Sequence, residues 1–486
     1  MSNPFPTRQY PYRRDGGGAV QLSAAGSAGT PVLAPDTLYR FIVGLDDAGL
    51  TGPPVPRPLG SDEANTLNDP FAQLLRQTAP HPLAARRLVA ALEPAGMQRQ
   101  SFVIGEGLQI PWSAATAHMN RQLRVAVAWT MNNNLAVLLS TAPSFDDEKI
   151  FLQVIGWDAA ARQFNFYERR LGVWSFAGNS HHALAAPTRG RGPFDSHVNG
   201  AMVMKELKAP WLHWSSMAAF ELPGIAPDDP LRQEPLFAER AGAQRLETLV
   251  RSSVLRWTEA RLDAVTGSGF DALPFMRHLL TSTTVNLVSS AQQGMARPAG
   301  GRLQLPPTPF FDANLLLDQL GIEIQSGSLS AAWEDYQTML GTQGYMLGDQ
   351  DGTHTFPGDT HFAFPAFERS IEDQQVVAGL LKRGMLPARV AACLAMVDFP
   401  NPVWSARRAA LLKYVAPTAS RTPEGWDLGD RIVAAIQASA GAPGSPEAEF
   451  MDLWNTGDGW AADFGGRLDR YLQALQRDGL KTRRQL

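Results

Sequence analysis

His181 and His182 stand side by side, Asp195 and His197 follow two residues apart inside GPFDSHVNG, and His213 comes sixteen residues later. Imidazoles and carboxylates at such spacing are the side chains that bind transition metals and carry protons. On an extended segment neighbouring residues face opposite ways, so one of His181 and His182 faces a given cavity. Residues i and i+2 share a side, which groups Asp195 with His197. One of the earlier pair together with these two makes a two-histidine, one-carboxylate face, the arrangement that leaves coordination positions on iron open for oxygen and substrate. In this reading His181 or His182 and His197 are metal ligands, Asp195 is the carboxylate ligand or orients His197, and His213 is a proton carrier. A haem version needs a single axial imidazole, from His197 or His213, in a non-covalent pocket, because C-x-x-C-H is missing.

Five of the nine histidines and six of the twelve tryptophans fall between residues 101 and 214, less than a quarter of the chain. That clustering nominates Trp157, Trp174, Trp211 and Trp214 as an apolar wall, with Trp174 and Trp211 against a cofactor. A plainer use of the same residues competes with it. Tryptophans fill cores, and Asp195 or Ser196 can cap a helix HVNGAMVMKELK whose Val198, Met202 and Leu207 turn inward. A Ser–His–Asp hydrolase drawn from Ser180 or Ser196, His197 and Asp195 is weaker, since no strained nucleophile turn is visible.

Other chemistries lose ground by their missing signatures: there is no GxGxxG after a strand, no GxxxxGK[ST], no HExxH and no GxSxG. GDQDGTHTFPGD begins like a calcium loop but places Thr353 and His354 where a ligand and a glycine are needed. Its cluster of Asp349, Asp351, His354, Asp359 and His361 reads as a surface connection, or as a loop that closes over the first site. The lone Cys393, in VAACLAMV, excludes an internal disulfide and a thiolate zinc cluster, and reads as a packing residue.

The elements that must hold these residues follow from periodicity. SFVIGEG, LRVAVAWT, LAVLLSTA, IFLQVIGWD, FNFYERR and VWSFAG alternate with period two and are joined by connections short enough for hairpins, so they predict an antiparallel meander of up to six strands. No helical crossovers separate them, which argues against a dinucleotide-binding sheet. Asp36 before TLYRFIVGL and Asp69 before Pro70 read as helix starts. Residues 243 to 265 form the clearest amphipathic helix, with Arg and Glu on its outer face, and further helices are expected at 329–340, 368–383, 387–397, 404–414 and 461–476. MVDFPNPVWSARR reads as a rigid turn between helices.

The expected fold class is therefore α+β, an antiparallel β meander in the N-terminal half with a mainly α-helical C-terminal half. Its divisions are a flexible arm at 1–35, an α+β region at 36–225 carrying the candidate site, and a mainly helical region at 226–486. A net charge of −4 without a basic stripe argues against nucleic acid. With no secretion signal and no apolar run near the roughly 20 residues of a membrane span, a soluble, cytoplasmic protein is expected. The functional expectation is an iron- or haem-dependent oxidoreductase acting on a small apolar or aromatic molecule. Its alternative is a ligand-binding or protein-interaction module without a cofactor. Neither reading sets an oligomeric state.

Overall fold

The computed structural model describes residues 33–49, 55–93, 96–105, 112–114, 116–117, 123–203, 222, 224–265, 269–289, 301–305, 307–327, 329–332, 334–335, 338, 346–348, 355–357, 365–439 and 441–478. Nearly all of the expected N-terminal arm, the loop cluster Asp349, Asp351, His354, Asp359 and His361, and residues Trp211, His213 and Trp214 lie outside them. The chain forms two compact units. The first draws on Met1–Glu106, Asn120–Ala201 and Pro227–Ala241, the second on Gly107–Met119, Met202–Ala226 and Gly242–Leu486.

The first unit is built on the expected meander. Its strands are β1 (Tyr39–Arg40), β2 (Arg57–Pro58), β3 (Gln98–Ile104), β4 (Arg124–Met131), β5 (Asn134–Thr141), β6 (Leu152–Asp158), β7 (Gln163–Arg170) and β8 (Val173–Asn179). They lie in the order β2-β1-β8-β7-β6-β5-β4-β3, and β3 to β8 pair antiparallel as consecutive neighbours. The β4–β5 turn takes Asn132 and Asn133 at φ +50 and +61°, the left-handed pair that matches the twist of a two-residue hairpin. Short helices α1 (Ser61–Asn65), α2 (Pro70–Gln77), α3 (Ala85–Leu92), α4 (Ser180–Leu184) and α5 (Pro235–Ala238) complete the unit.

The expected helix over TLYRFIVGL does not form. Tyr39 and Arg40 extend along β8 in parallel, which makes the sheet mixed, and the Phe41 N–H donates to the Phe176 carbonyl at 3.0 Å. Directly after, the Asp46 carboxylate accepts from Ile42 N at 2.7 Å and Asp47 accepts from Gly44 N at 2.5 Å. These side chains capture the amides that a helix would have used, which is how Asp favours turns over helix interiors. Asp69 does cap α2, accepting from Phe71 N and Ala72 N.

The second unit is mainly helical. Its strands are β9 (Gly269–Asp271), β10 (Val285–Ser289), β11 (Arg302–Leu305), β12 (Leu329–Ala332), β13 (Met346–Gly348), β14 (Thr355–Pro357), β15 (Pro365–Arg369), β16 (Thr418–Thr422) and β17 (Gly425–Trp426), in pairs and one triplet. Its helices are α6 (Ala243–Asp263), α7 (Leu273–Leu280), α8 (Ile371–Lys382), α9 (Ala388–Met396), α10 (Ala406–Ala410), α11 (Leu428–Ala438), α12 (Pro446–Trp454) and α13 (Trp460–Asp478). Residues 329–332 pair with β11 instead of opening a helix. One continuous core of Leu, Ile, Val, Met and Phe runs through this unit and includes Cys393, whose thiol burial pushes up to about 12. Arg408 is buried beneath the turn at Asp398 and donates to the carbonyls of Ala395, Val397, Asn401 and Pro402. Ser405 caps α10 and donates to Asp398 at 2.7 Å, so that segment is the rigid connector its prolines predict. Among the described residues no helix is long and apolar enough to cross a membrane.

Candidate functional site

His181 and His182 belong to α4, not to an extended segment. Asn179 ends β8 and caps the helix, its side-chain oxygen accepting from the N–H groups of His181 and His182 at 3.1 and 3.2 Å. His182 completes a reciprocal cap: its Nδ1 lies 3.2 Å from the Asn179 backbone nitrogen, which donates to it. The Asn179 side-chain oxygen, which only accepts, lies 2.8 Å from the same Nδ1, so Asn179 occupies this ring nitrogen in either tautomer. The His182 ring lies edge-on to Phe176, centroids 6.5 Å apart. Burial lowers its pKa, and the positive charges of Arg40 and His181 add to that. His181 is exposed.

Asp195 ends a short 3-10 turn, Gly192–Asp195, and is exposed. The expected helix from His197 does not start there: residues 197–203 hold a turn and a bend but no helix, and the remainder of HVNGAMVMKELK lies outside the described residues. His197 Nδ1 is 2.9 Å from the Ala201 carbonyl, to which it donates, and its ring lies 5.3 Å from that of Phe166. A Cβ placed on Gly178 would be 2.9 Å from Phe194 Cζ and 3.4 Å from His182 Cβ, so this close approach brings His182 and the turn before His197 to the same stretch of β8. Ser180 fastens the arrangement. Its buried hydroxyl accepts from Phe164 N at 2.8 Å and donates to the Gly200 carbonyl at 2.6 Å, bonds to backbone where a nucleophile would need an imidazole.

The tryptophan wall is core in this unit. Trp174 is fully buried, meets Phe71 edge-on at 4.8 Å and donates from Nε1 to the Pro82 carbonyl at 2.9 Å. Trp157 packs edge-on against Phe164 at 4.8 Å. The structure thus brings His182, His197 and their aromatic neighbours to the start of β7 and the end of β8, with His181 and Asp195 at the surface. Among the described residues no three His, Cys, Asp or Glu side chains are grouped so as to hold a metal ion.

A second polar group was not singled out from sequence. In the second unit His278, on α7, donates from Nδ1 to Asp373 on α8 at 2.8 Å, both residues being buried. Arg261 on α6 reaches His278 Nε2 at 3.4 Å, and Arg369 bridges to Asp312 at 3.3 Å. A small pocket of about 10 Å³ lies against His278, Asp312, Arg369 and Asp373. The usable signal was Arg261 on the buried stripe of an amphipathic helix, where a cation needs a partner; long sequence separation hid which one. No protein-family model, curated protein or solved structure matches the chain.

Proposed function

We propose that the chain acts as a non-catalytic ligand-binding or protein-interaction module that needs no cofactor. The observation carrying this reading is the use of His182 as a helix cap: its Nδ1 is taken up by Asn179, whose backbone nitrogen and side-chain oxygen lie 3.2 and 2.8 Å away, so the ring serves the start of its own helix. The burial of Trp174 against Phe71 and its bond to Pro82 support the same conclusion, because a ring so enclosed has its faces occupied by its own chain. The partner in this reading is a small molecule or another polypeptide met in the cytoplasm, and the balanced charge favours neither nucleic acid nor an anionic membrane.

A second reading, an iron- or haem-dependent oxidoreductase acting on a small apolar or aromatic molecule, draws support from His197. An imidazole that donates from Nδ1 to a backbone carbonyl presents its Nε2 lone pair, the common state of a metal-binding histidine, and Phe166 supplies an apolar neighbour. In it His197 is the ligand, Asp195 and one of His181 and His182 complete an iron site, and His213, Trp174 and Trp211 serve the haem or the proton. The two readings part on purified chain carrying no histidine tag. The module predicts colourless protein without stoichiometric iron that takes up neither iron nor haem. A Soret band, or one iron per chain, would establish the oxidoreductase instead.

A further inference from the structure

We infer that Arg261, His278 and Asp373 form an acid-released latch that holds the C-terminal end of α6 to α7 and α8. The tautomer follows from the partners. A guanidinium only donates, so the Arg261 contact at 3.4 Å makes His278 Nε2 an acceptor, and the ring proton sits on Nδ1, directed at Asp373. The chain from Arg261 through His278 to Asp373 therefore ties three helices together only while the imidazole is neutral.

Protonation of Nε2 removes the lone pair that receives Arg261 and sets two cations face to face. Every neighbouring element bears on the outcome. On α8, Asp373 favours the imidazolium, but its carboxylate is already engaged by Thr283, from Oγ1 at 2.6 Å and from N at 3.1 Å, while Glu372 is engaged by Thr284 at 2.9 Å. On β15, Arg369 opposes the imidazolium and is itself held by Asp312 and by the carbonyls of His278, Leu279 and Thr281. The buried Glu368 lies beside it in sequence. On α9, the buried residues Val390 to Met396 bring no charge. The turn Leu411–Tyr414 carries Lys413, which is exposed and paired with Glu447. Burial outweighs Asp373 and lowers the His278 pKa, with Arg261 and Arg369 adding to it. Arg261 has one other aromatic support, the Phe275 ring at 4.8 Å.

Hydrogen exchange of the full chain tests the latch. The opened imidazole has the ordinary pKa of 6.5, so amide exchange at residues 254–263, corrected for intrinsic rate, should rise about tenfold between about pH 7.5 and about pH 5.5. Arg261→Met removes the like charge and the link through Nε2 but leaves the ring buried, so its rise should be smaller than that of the wild-type chain, whereas Arg261→Lys keeps the charge and should keep the rise. Unchanged protection in the wild-type chain over this range overturns the latch, and so does a full rise in Arg261→Met. Should both variants fail to fold, the wild-type profile alone decides, since a flat profile overturns the latch and a tenfold rise confined to the α6–α8 trio supports it.

Discussion

Asp69 shows how one side chain joins helix to sheet. Its carboxylate accepts from Phe71 N and Ala72 N at the start of α2, and from Asn165 Nδ2 at 2.9 Å and the Tyr167 hydroxyl at 2.5 Å on β7. Burial pushes its pKa up against these donors, and burial, with the Asp69 carboxyl adding to it, drives the Tyr167 hydroxyl well above the usual range. The space it needs is supplied by Gly156 on β6, where a Cβ would stand 2.3 Å from Asp69 Oδ1. Gly156→Ala must therefore displace the cap or the strand, at a cost of about 1–3 kcal/mol. The expected outcome is a lower urea midpoint; an unchanged midpoint would mean that Asp69 does not sit against β6 as described.

At the scale of elements, strands were more legible than helices. The six segments of period-two sequence become β3 to β8 in order, because each is bounded by turn residues and alternation survives burial of the sheet. Asp69–Pro70 was legible for a local reason, since the cap and the proline act within one turn. TLYRFIVGL was not, because its amides find Phe176, Asp46 and Asp47. The first of these lies far away in sequence, and no local propensity encodes it. The candidate site divides in the same way. That the histidines gather near the end of the meander was visible in their spacing, but the capping role of Asn179, which takes up His182 Nδ1, turns on a helix beginning one residue after the strand ends. The Arg261–His278–Asp373 group joins residues up to 112 positions apart, beyond the reach of any spacing rule.

At the scale of the whole molecule, three buried or half-buried imidazoles bear on stability together. Burial lowers the pKa of His81 and His182 in the first unit and of His278 in the second, all from an ordinary value of 6.5. With folded values below the unfolded one, the unfolded chain binds more protons as the pH drops through 6.5, so folding stability is lost on acidification and recovered above it. The thermal midpoint should be lower at about pH 5.5 than at about pH 7.5, and an equal or higher one would mean that these rings are not sequestered. Carboxylates held down by cations, such as Glu447 at about 2 beside Lys413, lose their contribution only in stronger acid.

That the imidazoles serve the chain's own architecture is tested most directly by two-bond proton–nitrogen spectra of histidine-labelled protein at about pH 7.5, with and without ferrous iron. Neutral His197 and His278 should carry their proton on Nδ1, and no resonance of these rings or of His182 should be moved by iron. A His197 or His278 protonated on Nε2, or His182 and His197 shifting together on addition of iron, would contradict it.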